Sequence, residues 1–140
     1  MKLVSIFLGL LTLFLSIGPA AAVLPGVTNW WGKCHNDKPA IANAIGHFCK
    51  FGGLNNHVPR AWSIYGSHSD PDKFDRKAYV AIRGSCSPQE WVPRKYCYLQ
   101  FYKMCVQFPG AGAGVRSFGT NGCQSWQIMR GPIPGGKIGQ

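Results

Sequence analysis

Four histidines (His35, His47, His57, His68) and five carboxylates (Asp37, Asp70, Asp72, Asp75, Glu90) carry most of the acid–base chemistry available to this 140-residue sequence. A glycosidase needs two carboxylates flanking the scissile bond. Here Asp70, Asp72 and Asp75 crowd one polar stretch, Asp37 sits where a helix cap is expected, and Glu90 closes a Ser-Pro-Gln-Glu capping box. No pair of carboxylates stands out, and no serine lies in a nucleophile elbow or triad motif. A small secreted ribonuclease would need a histidine, a second acid–base group and a cation. His57, Glu90 and Arg83 could fill those roles, although nothing in their spacing selects them. Gly110 to Gly114 lacks the Lys-Ser/Thr of a phosphate-binding loop and leads into no helix. The expectation is a protein with no catalytic residues and no cofactor.

Six cysteines carry the remaining reactive chemistry: Cys34, Cys49, Cys86, Cys97, Cys105 and Cys123. No Cys-X-X-Cys occurs, and neither Cys34-His35 nor His47-Phe48-Cys49 has the spacing of a zinc site, so no metal is expected. An even count in a short exported chain reads as three disulfides. Cys97 and Cys105 fall on one helical face about 12 Å apart, from 1.5 Å of rise per residue, which is too far for a disulfide. Of the fifteen pairings open to six cysteines, three contain that pair and twelve remain. Each of the two must therefore reach another element: the preceding helix through Cys49, the sheet through Cys86 or Cys123, or the N-terminal segment through Cys34.

The compartment is read from the N-terminus. Lys2, the apolar run Leu3 to Gly18 and the small residues Ala20-Ala21-Ala22 predict an export signal over residues 1–22. The run is too short for a spanning helix, which needs about 20 apolar residues, so a secreted protein without a transmembrane anchor is expected. The remaining 118 or so residues suit one domain, placed at 23–130, with a flexible Gly- and Pro-rich tail over 131–140. Without Lys2, fourteen Lys and Arg oppose five Asp and Glu, a net charge of about +9. The basic residues are spread along the chain, which favours anionic surfaces in general over a specific nucleic acid.

The elements that must position these residues are legible from periodicity. Val27–Lys33 is β-prone and is expected as a first strand. Its Trp30-Trp31 pair would then face opposite ways and expose at least one indole. Asn36 or Asp37 would cap a helix over 38–51, whose stripe Ile41, Ile45, Phe48, Cys49 recurs at helical spacing and ends at Gly52-Gly53. Residues 54–60 read as loop, and 61–66 as a strand carrying Trp62 and Ile64. Residues 67–76 read as a polar connection. Over 77–84, Ala78, Val80 and Ile82 alternate with Tyr79, Ala81 and Arg83, the signature of a strand. Ser87 to Glu90 reads as a helix start that Pro93 breaks or kinks. The main second helix is therefore expected over 94–107, with the stripe Cys97, Phe101, Met104, Cys105, Phe108. Strands over 115–120 and 123–129 flank Asn121-Gly122, a type I′ hairpin signal. These elements predict an α+β domain of βαββαβ order, stapled by disulfides, in which two amphipathic helices cover one face of an antiparallel sheet.

The signal ending in Ala-Ala-Ala, Gly84-Ser85-Cys86 leaving a strand, Tyr96-Cys97 and Met104-Cys105 on one helix, and Asn121-Gly122-Cys123-Gln124-Ser125-Trp126 closing a hairpin resemble the small cysteine-rich proteins that fungi secrete. The element order is similar to the α/β sandwiches of the virally encoded killer toxins of smut fungi. The resemblance implies an effector- or toxin-like binding protein acting on an extracellular host or competitor component, without a cofactor. Trp30, Trp31, Arg83, Arg94 and Lys95 are the candidate binding surface, suited to a glycan or an anionic surface. A carbohydrate-binding protein is the alternative reading, and a small secreted ribonuclease the second.

Overall fold

In the computed structural model, residues 27–51, 55–60, 63–64, 66–70 and 77–131 are described. The export signal, the Gly52-Gly53 helix stop, Trp62 and the tail beyond Gly131 lie outside them. In chain order the elements are α1 (Val27–Asp37), α2 (Pro39–Phe51), β1 (Asn55–Val58), β2 (Ser67–His68), β3 (Ala78–Gly84), β4 (Glu90–Pro93), α3 (Arg94–Gln107), β5 (Gly114–Phe118) and β6 (Gln124–Arg130). The fold is α+β. Three helices pack with a four-stranded antiparallel sheet of order β2-β3-β6-β5 and a separate antiparallel pair, β1 with β4.

Two helices arise where the sequence suggests them. All of Ile41, Ile45, Phe48 and Cys49 on α2 are fully buried, as are Cys97, Phe101, Met104 and Cys105 on α3. Rings from α2, α3, β6 and β5 follow one another through the core. Phe48 meets Phe101 edge-on at 5.6 Å, Phe101 lies 4.7 Å from Trp126, and Trp126 meets Phe118 at 5.3 Å. Such offset and edge-to-face contacts suit the ring quadrupoles.

The first element is a helix and not the expected strand. Trp30 (half-buried) and Cys34 (fully buried), four residues apart, share one side of α1, with Gly32 half-buried between them, and Thr28, Asn29, Trp31, Lys33 and His35 are exposed. The inward face, clamped by Cys34, overrides the β-propensity of Val, Thr and Trp, which is a weak preference beside tertiary packing. Asn36 and Asp37 consequently close α1 and do not cap an isolated α2. Helical hydrogen bonds continue across the junction, from Lys38 N–H to Cys34 O (2.8 Å) and from Ala42 N–H to Lys38 O (3.1 Å). Lys38 Nζ in turn donates to the Cys105 and Phe108 carbonyls at 2.7 and 3.0 Å. A cation thereby satisfies carbonyls left open at the C-terminal end of α3.

Three more expectations are corrected. Asn55–Val58 is a strand and not loop, held by its register with β4 (Asn56 opposite Val92, Val58 opposite Glu90). Ser63 and Ile64 form a helical turn and not a strand. The Ser63 hydroxyl accepts from Arg60 N–H at 3.1 Å and shares its proton between the His57 and Arg60 carbonyls, while Ile64 N–H reaches Arg60 O, local bonding that winds the chain. Ser87 to Glu90 starts no helix. The Ser87-Pro88 peptide is cis, and Glu90 begins β4. Its carboxylate bonds Thr120, thirty residues away, in place of its own backbone.

The alternation in β3 is present in the backbone but not in the burial. Both faces of Ala78 to Ile82 are covered, and only Arg83 is exposed. β5 and β6 do form a hairpin, with Phe118 opposite Gln124. Asn121 (φ 55°) and Gly122 (φ 71°) take the left-handed region that the Asn-Gly signal anticipates. The connection is five residues long and not two.

Three disulfides staple the domain: Cys34–Cys105, Cys49–Cys97 and Cys86–Cys123. Cys97 and Cys105 do reach different elements, α2 and α1. Among the described residues, no helix is long and apolar enough to cross a membrane.

Candidate functional site

Where β4 runs into α3, a short strand and the first helical turn leave two large aromatic side chains in solvent. Strand alternation turns Val92 into the core and Trp91 outward. Val92 is 3% exposed and Trp91 57%. Tyr96, in the first turn of α3, is 43% exposed. Gln100 comes at i+4 on the same helical face. The end of β5 and the start of β6 supply the opposite wall, with Phe118, Gln124 and Trp126. Together with Glu90 these residues line an open groove of about 340 Å³, at the lower end of the range of small-molecule sites, roughly 300–1,000 Å³.

A chain of hydrogen bonds fixes the groove's polar end. Trp126 is buried, and its indole Nε1–H donates to Gln124 Oε1 at 2.8 Å. Gln124 Nε2 donates to Glu90 Oε2 at 2.8 Å, and the Thr120 backbone N–H donates to Glu90 Oε1 at 2.8 Å. Hydrogen bonds from Thr120 hold the Glu90 carboxyl below its ordinary value, with Gln124 adding to the effect and desolvation opposing it. Gly119 makes the geometry possible. Its φ of 77° is in the left-handed region, and a Cβ there would run into Glu90 Oε2.

The Cys86–Cys123 disulfide anchors this end of the molecule. It joins the loop before β4 to the loop before β6. A second hollow of about 430 Å³, lined by Ser85, Ser87, Thr120, Asn121 and Cys123, meets the groove at Glu90. Ligand atoms of Cys86, Cys123 and Glu90 lie within 4.8 Å of one another. Both sulfurs are spent in the disulfide and offer no thiolate, so the cluster cannot act as a metal site in the oxidised protein.

The residues singled out from sequence lie on three elements. On α1, Trp30 is half-buried against the core under Lys33, whose Nζ is 5.8 Å from its ring. Trp31 is exposed and stacks on His35, one turn further along, at 5.2 Å. Arg83 is exposed on β3. Arg94 and Lys95 open α3, with Arg94 5.8 Å from the Tyr98 ring and Lys95 Nζ 5.2 Å from the Tyr96 ring. In these contacts only Lys95, through Tyr96, touches a groove-lining residue. Neither His57 nor Arg83 lines the groove with Glu90. The β1–β4 register sets His57 opposite Trp91 and Val58 opposite Glu90. Sequence reasoning missed Trp91, Tyr96, Gln100 and Gln124 as a group. The available signal was Glu90-Trp91-Val92 read as a strand, which puts Trp91 on the outer face.

Compared with protein-family models, with curated proteins and with solved structures, the chain matches none.

Proposed function

We propose that this chain is a secreted, non-enzymatic interaction protein, effector- or toxin-like, that acts by binding an extracellular host or competitor component through the groove at the β4–α3 junction. The observation that carries this reading is the pairing of exposed Trp91 and Tyr96 with a carboxylate already engaged in the fold. Both Glu90 oxygens accept protein hydrogen bonds, and those bonds favour the ionised form. That state suits holding a ligand and disfavours giving up a proton as a general acid. Exposed aromatics beside fixed polar groups are the usual composition of a binding surface. Three disulfides fit an oxidising compartment, and the excess of basic residues draws the protein to anionic cell surfaces.

The test uses the oxidised protein with all three disulfides intact. Labelled protein should bind intact target cells or their insoluble walls in a saturable way, and Trp91→Ala should abolish most of that binding. The same sample should turn over no RNA and no polysaccharide. Turnover that is lost in His57→Ala and in reduced protein would make the chain an enzyme. Surface binding unchanged by Trp91→Ala would remove the groove from the account.

A further inference from the structure

We infer that the Trp91–Tyr96 groove takes a neutral oligosaccharide, with sugar rings packed on the two exposed aromatic faces and hydroxyls bonded to Glu90 and Gln100. This rests on the groove being the working surface of the proposed function, and adds the class of ligand.

The groove's charge and hydrogen-bonding inventory selects that class. Glu90 is the one fully charged group among the described residues that line it, with no Lys, Arg or His in the wall. A phosphate, sulfate or carboxylate entering there would meet a like charge in the wall, and Lys95, the cation beside the Tyr96 ring, lies outside that wall. A cationic ligand would meet Glu90 favourably, but it would approach against the field of a protein with net charge near +10. A neutral ligand escapes both penalties.

The polar groups then specify hydroxyls. An ionised carboxylate offers about four lone-pair sites. In Glu90 each oxygen has taken one protein donor, from Thr120 and from Gln124. Each therefore keeps room for one donor from a ligand. Gln100, one turn beyond Tyr96, presents an amide that can both donate and accept. The ligand that fits has an edge of O–H groups and a face of C–H groups. A pyranose ring has both. Its polarised C–H bonds complement the electron-rich faces of Trp91 and Tyr96. The hydrogen-bond chain from Trp126 through Gln124 fixes the carboxylate before the ligand arrives, so little ordering remains to be done on binding.

The experiment tracks the tryptophan indole N–H signals by NMR while oxidised protein is titrated with neutral hexasaccharides of glucose, mannose and N-acetylglucosamine. A hexanucleotide RNA and a sulfated hexasaccharide serve as anionic probes. Trp91 is expected to shift saturably with at least one neutral sugar. The Trp30 signal, from a ring packed on the core and outside the groove, reports that the fold is intact. Binding should barely respond to salt, since no ion pair forms. Trp91→Ala and Tyr96→Ala should each weaken it roughly ten-fold or more, and Gln100→Ala, a smaller change on the surface of α3, should weaken it less. If only the anionic probes shift Trp91, in a salt-sensitive way, the ligand class is wrong and the groove stands. If no probe shifts Trp91 while Trp91→Ala still abolishes binding to cell surfaces, the groove binds something other than a sugar and the inference fails alone. If Trp91→Ala leaves surface binding intact, the groove reading fails and takes the sugar with it.

Discussion

The helical side of the molecule and the groove end are held together by different means. On the helical side, Cys34–Cys105 and Cys49–Cys97 tie α3 to α1 and α2, and all four cysteines are fully buried in the aromatic and aliphatic core. At the groove end a single disulfide, Cys86–Cys123, has one half-exposed partner and sits beside polar loops. There the order comes from the hydrogen bonds linking Trp126, Gln124, Glu90 and Thr120. A small domain has limited apolar area to bury. Concentrating that area and two staples on one side leaves the other free to expose Trp91 and Tyr96.

The largest test of this contrast compares staples. Each native disulfide removed should cost roughly 2–5 kcal/mol, with longer loops costing more in the chain-entropy account. The sequence separations are 71, 48 and 37 residues for Cys34–Cys105, Cys49–Cys97 and Cys86–Cys123. Paired Cys→Ala variants should therefore lose stability in that order in denaturant unfolding. Groove binding in the folded fraction should show the reverse order, most damaged when Cys86–Cys123 is removed. An equal loss of binding in all three would dissolve the distinction between the two regions.

Next in size is Gln124→Ala. It strands the indole N–H of Trp126, a residue only 2% exposed, and an unsatisfied buried donor costs about 1–3 kcal/mol. It also frees Glu90 Oε2. Stability and ligand affinity should fall together, whereas Tyr96→Ala should lower affinity with little change in the unfolding midpoint. A Gln124→Ala protein with wild-type affinity would mean that the hydrogen-bond chain is structural only.

The same contrast explains what could be read before the structure. The stripes of α2 and α3 and the β5–β6 hairpin are local patterns, in which residues three, four or two apart share a face, and the fold obeys them. The separation of Cys97 from Cys105 along one helix already forbade their pairing. The groove end depends on partners far apart in sequence. Glu90 stands in what reads as a capping box, but its donors come from Thr120 and Gln124 in the last hairpin. Asn55–Val58 carries little β signal of its own and becomes a strand because β4 lies beside it. α1 obeys the same rule, since the burial of Cys34 against Cys105, 71 residues on, outweighs its β-prone composition. Trp91 escaped notice because its outward direction is fixed only once Glu90 to Pro93 is known to be a strand.

Acid should separate the two regions by pH. His68, on β2 beside the Tyr79 ring at 5.1 Å, has a buried Nε2 with no hydrogen-bond partner among the described residues. Burial, and then the charge of Lys77, hold its pKa below the ordinary 6.5. The unfolded chain thus takes up a proton that the folded one refuses, and stability should begin to fall as pH drops below about 6.5. Glu90, also depressed, contributes stability that is present above its unfolded value and lost as pH falls through its lower folded one. Its loss begins near pH 4.5. Denaturation midpoints measured from neutral to acid pH should show both slopes, with His68→Gln flattening only the first and Glu90→Gln only the second. Sugar binding should track the second slope, where the Glu90 acceptor is lost.

The effect furthest from neutral pH lies at the alkaline end and belongs to the helical side. Tyr102 is buried on α3 and stacked on Tyr98 at 5.9 Å. Burial, with a smaller contribution from Tyr98, pushes its phenol up to about 12. A folded-state value above the unfolded one, near 10, means that the neutral phenol stabilises the fold below about pH 10. That contribution fades as pH rises through 12. Phenolate absorbance should therefore show a late component near pH 12 that is absent from Tyr102→Phe. The same substitution keeps the buried ring and removes the alkaline slope, leaving acid stability and groove binding unchanged. Tyr96, six residues earlier on the same helix, should behave in the opposite manner under substitution, altering binding but not the alkaline slope. If Tyr102→Phe weakened the groove instead, α3 would be transmitting changes from its buried face to its exposed one, and the two regions would be one mechanical unit.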